Sequence, residues 1–426
     1  MQKNIQNSKR CRILLTEGSS TSARHTLYAL GDRHIIDVLD PSALCQCRFS
    51  RYVRRWFKCP SYSKQPLEYL RFLAGRLKRD PYDVVLATHE QGFLLARVRN
   101  EIQELAGLAL PEFSTINQMQ GKADFVRTLD ELNLPYPQTS IVRTRAQLQQ
   151  TQKFPCFVKL AHSTAGMGVF RVADSSELDI VTRRLESEGR LDGETEILVQ
   201  QTGLGKLSIV QSVFQHGKLV GTHCAQARVQ GVGGAPMARE SVWHPHVIED
   251  IRKLGQHLNW HGALFIEYFH DADSNEVEYM EANPRIGETF NATRCGVNLC
   301  EQLVRVSLGE EVPPLPPGEI GIRTHQSFMI AMSAATKGLN RRQLVTDLYD
   351  ACTSTNDFHD SEDELTRWKD DLPSVIPAAA VVLQLLLSPR SASRIVEKTV
   401  ANYSLPESAA SVIRELSIDE LRKCFD

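Results

Sequence analysis

The sequence predicts an α/β unit followed by an α+β region and a mainly helical tail, and three observations carry that prediction. Apolar runs at residues 12–15, 34–39 and 82–87 alternate with helical patterns, one through Leu27 and Leu30 and one over residues 66–78. Such alternation builds a parallel, Rossmann-like sheet. Further on, runs at 156–160 and 169–172, 208–214 and 219–225, and 263–269 and 276–283 are joined by short polar or glycine-rich links, which is hairpin spacing. Helical patterns over 117–132 and 247–258 complete this α+β region. Past the hinge Pro313-Pro314-Leu315-Pro316-Pro317 the chain reads as mainly helical, with an acidic loop near 360–364. The expected boundaries are 1–110, 111–195, 196–325 and 326–426. Ligands of open parallel sheets lie beyond the carboxyl ends of the strands, so residues 16–20 and 88–90 are site candidates. The glycine fingerprint of dinucleotide sites is missing there, so no nicotinamide cofactor is expected.

Composition narrows the classes. The 426 residues are 42% hydrophobic, as in an ordinary globular protein, and 49 basic residues against 51 acidic ones leave a formal charge of -2. No overall field favours nucleic acid or an anionic membrane, and neither is expected as a partner. The basic segment 48–58 reads as solvated surface. Ten cysteines without an even framework, and a start lacking a signal-peptide pattern, suit a reducing cytoplasm. The greasiest stretch, 377–387, falls well short of the roughly 20 residues that cross a bilayer and reads as a buried helix. Cys45 with Cys47, Cys295 with Cys300, and His244 with His246 lack a second half at zinc-ligand spacing.

The chemistry concentrates on one hairpin. With its register centred on Ser274, Glu267 lies directly opposite Glu281, and the two-residue period turns Asn283 to the same face. Opposed carboxylates would have Cβ atoms about 5 Å apart and repel unless a cation lies between them. Mg²⁺, with Mn²⁺ as an alternative, accepts such a set: one or two carboxylates, an amide oxygen, and phosphate or water for the rest. Arg285 follows in position to meet a phosphoryl oxygen or a carboxylate. Upstream, Lys159 ends a short apolar strand before the small-residue loop 162–168, whose backbone could approach phosphates closely. Lys122, in Gln120-Gly121-Lys122-Ala123-Asp124, is a weaker candidate by itself.

The order of these parts, Lys122, Lys159, the loop, the strand Leu198-Val199-Gln200-Gln201, then Glu267 and Glu281-Ala282-Asn283-Pro284-Arg285, resembles the ATP-grasp superfamily. The likeness is strongest to its carbamoyl-phosphate-synthase-like and carboxylate-amine ligase members, and extends over residues 10–325. It implies a pre-ATP-grasp domain over 1–110 and an ATP-grasp domain of two α+β lobes, 111–195 and 196–325. It further implies that Lys122 and Lys159 touch ATP phosphates and that residues 163–168, with Ser163, Gly166 and Gly168, form a flap over them. Gln200 and Gln201 would face adenine and ribose. Glu267, Glu281 and Asn283 would hold Mg²⁺, Arg285 would stabilise the transferred phosphate, and Arg228 would help at the acyl-phosphate end. The chain departs from the pattern at Gln200 and Gln201, where an acidic residue is usual, at Lys206, where glutamate is common, and in the small number of glycines in the loop.

The implied reaction joins a small, amino-acid-like carboxylate to an amine. The γ-phosphoryl group of ATP activates the acid as an acyl phosphate, and ADP and phosphate are released. Two alternatives are a carboxyphosphate-forming carboxylase, for which no Met-Lys-Met carrier motif is present, and a non-catalytic ATP-binding regulatory module. His25, Glu90, Arg228, Trp243 and Arg294 are open candidates for the acceptor pocket, and a homodimer is compatible with the sequence.

Overall fold

The computed structural model describes residues 9–162, 168–231, 234, 236–336, 341–366, 369–388, 391, 395 and 403–426. Among them no helix is long and apolar enough to cross a membrane.

Three sheets organise the chain. The first takes β1 (Arg12–Leu15), β2 (Ile35–Asp40), β3 (Val53–Lys58) and β4 (Val84–Leu86) in the order β3-β2-β1-β4, all parallel. Both faces are apolar, as a parallel sheet covered on two sides requires. Leu14, Leu39 and Val85 face a core shared with helix Pro66–Arg79 and, from the far end of the chain, Leu405, Ala409 and Ile413. Ile13, Leu15, Ile36 and Val38 face the other way, onto Ile286, Ala292, Leu299 and Leu303. The carboxyl ends of β1 and β4 are thereby set against the segment that follows Arg285.

The basic segment 48–58, expected as solvated surface, contains the edge strand β3. Its charges are tolerated because buried Asp37 takes hydrogen bonds from both Arg54 and Arg55, and because Arg48 lies over the Trp56 ring at 4.3 Å.

The second sheet is antiparallel, in the order β5-β8-β6-β7, from β5 (Thr139–Val142), β6 (Cys156–Leu160), β7 (Val169–Val172) and β8 (Ile197–Gln201), with helix Ser175–Ser187 packed on it. The third has seven strands in the order β13-β12-β9-β10-β11-β14-β15. They are β9 (Lys206–Gln215), β10 (Lys218–Gln230), β11 (Pro236–Val242), β12 (Gly262–His270), β13 (Val277–Asn283), β14 (Arg323–His325) and β15 (Ser361–Asp363). Helix Pro245–His257 covers one face over Phe214, Trp260 and Tyr268.

The region after residue 326 is helical apart from β15, which pairs parallel to β14 and fastens it to the large sheet. Helix Ile376–Leu387 corrects an expectation. Read as buried, it buries only Pro377 and Leu385 among the described residues, while Leu383 and Leu387 are 59% and 69% exposed. A mostly apolar helix buries only the stripe its neighbours reach, here Leu385 with Val381, Val382 and Leu386 partly buried beside it.

Candidate functional site

The site forms where helix Lys122–Glu131 wedges between the second and third sheets. Ala123 and Val126 pack with Ala161 and Leu198 of the second sheet, whereas Phe125 and Leu129 enter the core holding Tyr268 and Tyr279 of the third. At its first turn the Lys122 amide donates to the Ala161 carbonyl at 2.9 Å, just past the end of β6. The Lys122 side chain then crosses to β13, with Nζ 3.2 Å from Glu281 Oε1. Lys159, on β6, donates to Gln200 Oε1 at 2.5 Å, and Gln200 donates onward to Thr139 Oγ1 at 3.0 Å. Burial pushes the Lys159 ammonium down to about 8, although Glu281 and Glu267 pull it up.

The β12–β13 hairpin places Glu267 opposite Glu281 and Phe265 opposite Asn283, which is the Ser274-centred register. Nearer the turn that register breaks: a bulge between Glu267 and Tyr268 sets Tyr268 against Tyr279. The bulge reverses the face parity along β13. Val277 and Tyr279 point into the core with Ala282, which a uniform register would not allow, while Glu281 stays opposite Glu267. The Glu267 carboxyl is pushed up to about 7 by burial and then by Glu281, against the pull of Arg285, Lys159 and Lys122. Among the described residues no group of three His, Cys, Asp or Glu side chains is placed to hold a metal. Two crowded carboxylates beside the Asn283 amide nevertheless fit Mg²⁺, which leaves several positions to phosphate oxygens and water.

The Arg285 amide donates to the Asn283 carbonyl at 2.7 Å, a tight turn that carries Arg285 off the strand toward the carboxyl end of β4. There its Nε lies 3.4 Å from Glu90 Oε1, and Gln120 donates to Glu90 Oε2 at 2.6 Å. Lys122, Lys159, Gln200, Glu267, Glu281 and Arg285 are therefore joined by direct contact or mutual charge, with Asn283 two residues beyond Glu281 on β13 and Glu90 beside Arg285.

Other expected residues stand apart or outside. Arg228, on β10, has its Nε 3.7 Å from Glu240, which also holds Arg323. The Gln201 amide group reaches the Lys153 carbonyl at 3.4 Å. Gly168 adopts φ +82, and a Cβ there would meet the Leu160 side chain at 2.9 Å. Ser163 and Gly166 lie outside the described residues. Of the open acceptor candidates, Arg294 pairs with Glu362 at the surface. His25 accepts from the Phe290 amide at 3.3 Å, with Nε2 3.7 Å from Glu364.

A second charged cluster, which the sequence reading missed, lies beside the first. Buried Arg239 of β11 pairs with Glu288 and, at 3.1 Å, with Glu364. Gln326 donates to both carboxylates, at 2.7 and 2.8 Å, Thr21 donates to Glu288 and Thr324 to Glu364. Only the nearness of Glu288 to Arg285 in the chain hinted at it. Arg239 falls in a stretch given no element from the sequence, and Glu364 ends a loop marked there only by its acidity.

No protein-family model matches the chain. Among curated proteins it is 20% identical over 233 residues to the C-terminal section of the carbamoyl phosphate synthase large chain of Methanopyrus kandleri, covering 49% of this chain and 42% of that one. It is 23% identical over 212 residues to the carbamoyl phosphate synthase large chain of Deinococcus radiodurans, covering 46% and 20%. The matches thus span less than half the length of these relatives. Among solved structures, an ADP complex of N5-carboxyaminoimidazole ribonucleotide synthetase superposes with a TM-score of 0.59 at 17% identity, over 78% of this chain and 85% of that one. An L-amino acid ligase from Bacillus licheniformis gives 0.55 at 15%, over 72% and 76%. The biotin carboxylase domain of the 2-oxoglutarate carboxylase of Hydrogenobacter thermophilus, solved with MgADP and bicarbonate, gives 0.58 at 13%, over 74% of each.

Proposed function

From the ATP-grasp fold of this chain, we propose an ATP-dependent ligase that joins a small, amino-acid-like carboxylate to an amine through an acyl phosphate, releasing ADP and phosphate. The observation that carries the reading is the meeting of Lys122 and Glu281 at 3.2 Å across the seam between two sheets, with Glu267 crowded against Glu281. Nothing in a purely structural hairpin calls for that crowding.

A carboxylate does not yield to an amine directly, because oxide would have to leave. Lys122 and Lys159 supply positive charge for the phosphates of ATP, and Lys159 sits on a rigid strand that fixes where that charge lies. Glu267, Glu281 and Asn283 would hold Mg²⁺, which neutralises phosphoryl charge when bound. Arg285, turned away from the hairpin toward Glu90, meets the transferred group as the carboxylate oxygen attacks phosphorus. The same guanidinium then faces the acyl phosphate as the amine displaces phosphate from the acyl carbon.

The likeness to a carboxylase domain solved with bicarbonate supports a second reading, in which bicarbonate takes the phosphoryl group. The test is Mg²⁺-dependent ADP release from the full chain with a panel of amino acids, and separately with bicarbonate, using hydroxylamine to trap acyl phosphate as hydroxamate. The ligase reading expects hydroxamate with at least one amino acid. ADP release with bicarbonate alone would favour the second reading, and AMP with pyrophosphate would sink both.

A further inference from the structure

Between the carboxyl end of β4 and Arg285 lie buried polar atoms that the phosphate chemistry does not use. His89 and Glu90 are both nearly inaccessible, at 7% and 4% exposure. His89 Nδ1 faces Glu90 Oε1 at 4.0 Å, and neither Nδ1 nor Arg285 Nε has a hydrogen-bond partner. The His89 ring packs edge-on against Tyr403, with centroids 4.6 Å apart, and the Tyr403 backbone partly offsets the lowering of the ring's pKa. A neutral ring with its proton on Nε2 leaves Nδ1, which has no hydrogen-bond partner, as the bare acceptor. Burial, followed by the charge of Arg285, holds the imidazole well below its usual range, so the ring is neutral and Nδ1 presents a lone pair. The Nδ1 lone pair thus faces Glu90 Oε1 at 4.0 Å without a donor of its own, while the Arg285 guanidinium lies 3.4 Å from that oxygen. A buried acceptor left without a donor is costly.

What completes the pair is a group with at least two N–H bonds, beside the guanidinium that faces the acyl phosphate. We propose that His89 Nδ1 and Glu90 Oε1 bind the attacking amine and that His89 accepts its proton. The inference rests on the ligase reading above. In the step, the amine lone pair forms the C–N bond to the acyl carbon, and the C–O bond to phosphate breaks, phosphate leaving with that electron pair. One N–H proton passes to Nδ1 and is returned to solvent when the products leave. Glu90 stays an acceptor throughout, held by Gln120 and Arg285. Tyr403 supports the ring from its other side and makes no contact with the reacting atoms.

Nitrogen-15 NMR of the full chain with labelled histidine, His89 assigned with His89→Gln, tests the geometry without turnover. The expected result is an unprotonated Nδ1 whose resonance moves on adding methylamine but not tetramethylammonium, which has no N–H. A proton on Nδ1, or a resonance unmoved by methylamine, overturns the proposal. Failure of the ligase reading would show instead as absent hydroxamate and leave this result readable. With an active acid, His89→Ala should slow amide formation about 10²–10⁴-fold with basic amines, imidazole should restore part of it, and Mg·ADP affinity should stay unchanged. An equal loss of nucleotide affinity, or no rescue, would mark His89 as structural and overturn the proposal.

Discussion

Two clusters of buried charge lie side by side on the large sheet, and they are finished differently. Around Arg239 every carboxylate oxygen is met by the protein: Glu288 by Arg239, Thr21 and Gln326, and Glu364 by Arg239, Thr324 and Gln326. Around Glu267 the protein stops short. Glu281 takes one lysine, and Glu267 has no hydrogen bond among the described residues. A structural network satisfies itself because an unpaired buried charge is costly, whereas a ligand site keeps part of that cost until the ligand arrives. Charge composition does not separate the two clusters; what does is that the carboxylate oxygens around Arg239 are all met, although Arg239 Nε and His25 Nε2 there have no hydrogen-bond partner.

The sharpest way to break the comparison is at the unfinished cluster. Glu281→Gln should lower Mg²⁺-dependent ADP release by about 10²–10³-fold, with thermal stability kept or slightly raised because a repulsion is relieved. A melting curve beside a steady-state assay reads both. The finished cluster should respond the other way. Arg239→Met strands two carboxylates, so urea unfolding should show a loss of about 3–5 kcal/mol.

Acidity sharpens the contrast, with opposite signs. Although burial raises it, Arg239 above all, with His25 and Thr21, brings the Glu288 carboxyl down to about 2. A depressed carboxyl contributes stability that is fully present above its ordinary 4.5 and is lost as pH falls through about 2. Glu267 is raised to about 7, so without metal its contribution is greatest below 4.5 and is lost as pH rises through about 7. Unfolding curves of Glu288→Gln should flatten the acid limb, and those of Glu267→Gln the neutral limb. The smallest effect should follow Arg228→Ala, whose charge is engaged by Glu240. A change in kcat of less than about tenfold is expected, and a larger one would bring Arg228 into the chemistry.

Much of this was legible because it depends on short periods. Alternation gave the opposition of Glu267 and Glu281, and the apolar runs at 12–15, 34–39 and 82–87 lie together in one parallel sheet. What depended on distant partners was not legible. The bulge beside Tyr268 exists because Val277 and Tyr279 must reach a core built by helix Pro245–His257, and nothing within the hairpin announces it. Strand β3 was hidden because its arginines answer Asp37 on a neighbouring strand. Arg239 and Glu364 are 125 residues apart in the chain, and His89 meets Tyr403 across a still longer span.

The central claim, that the face holding Lys122, Glu267, Glu281 and Asn283 is a Mg-nucleotide site, is tested most directly by calorimetric titration of ADP into the full chain with and without Mg²⁺. Mg²⁺ should strengthen binding at least about tenfold, and Glu281→Gln should abolish that Mg²⁺ effect while leaving metal-free binding in place. Equal Mg²⁺ dependence in wild type and Glu281→Gln would contradict it.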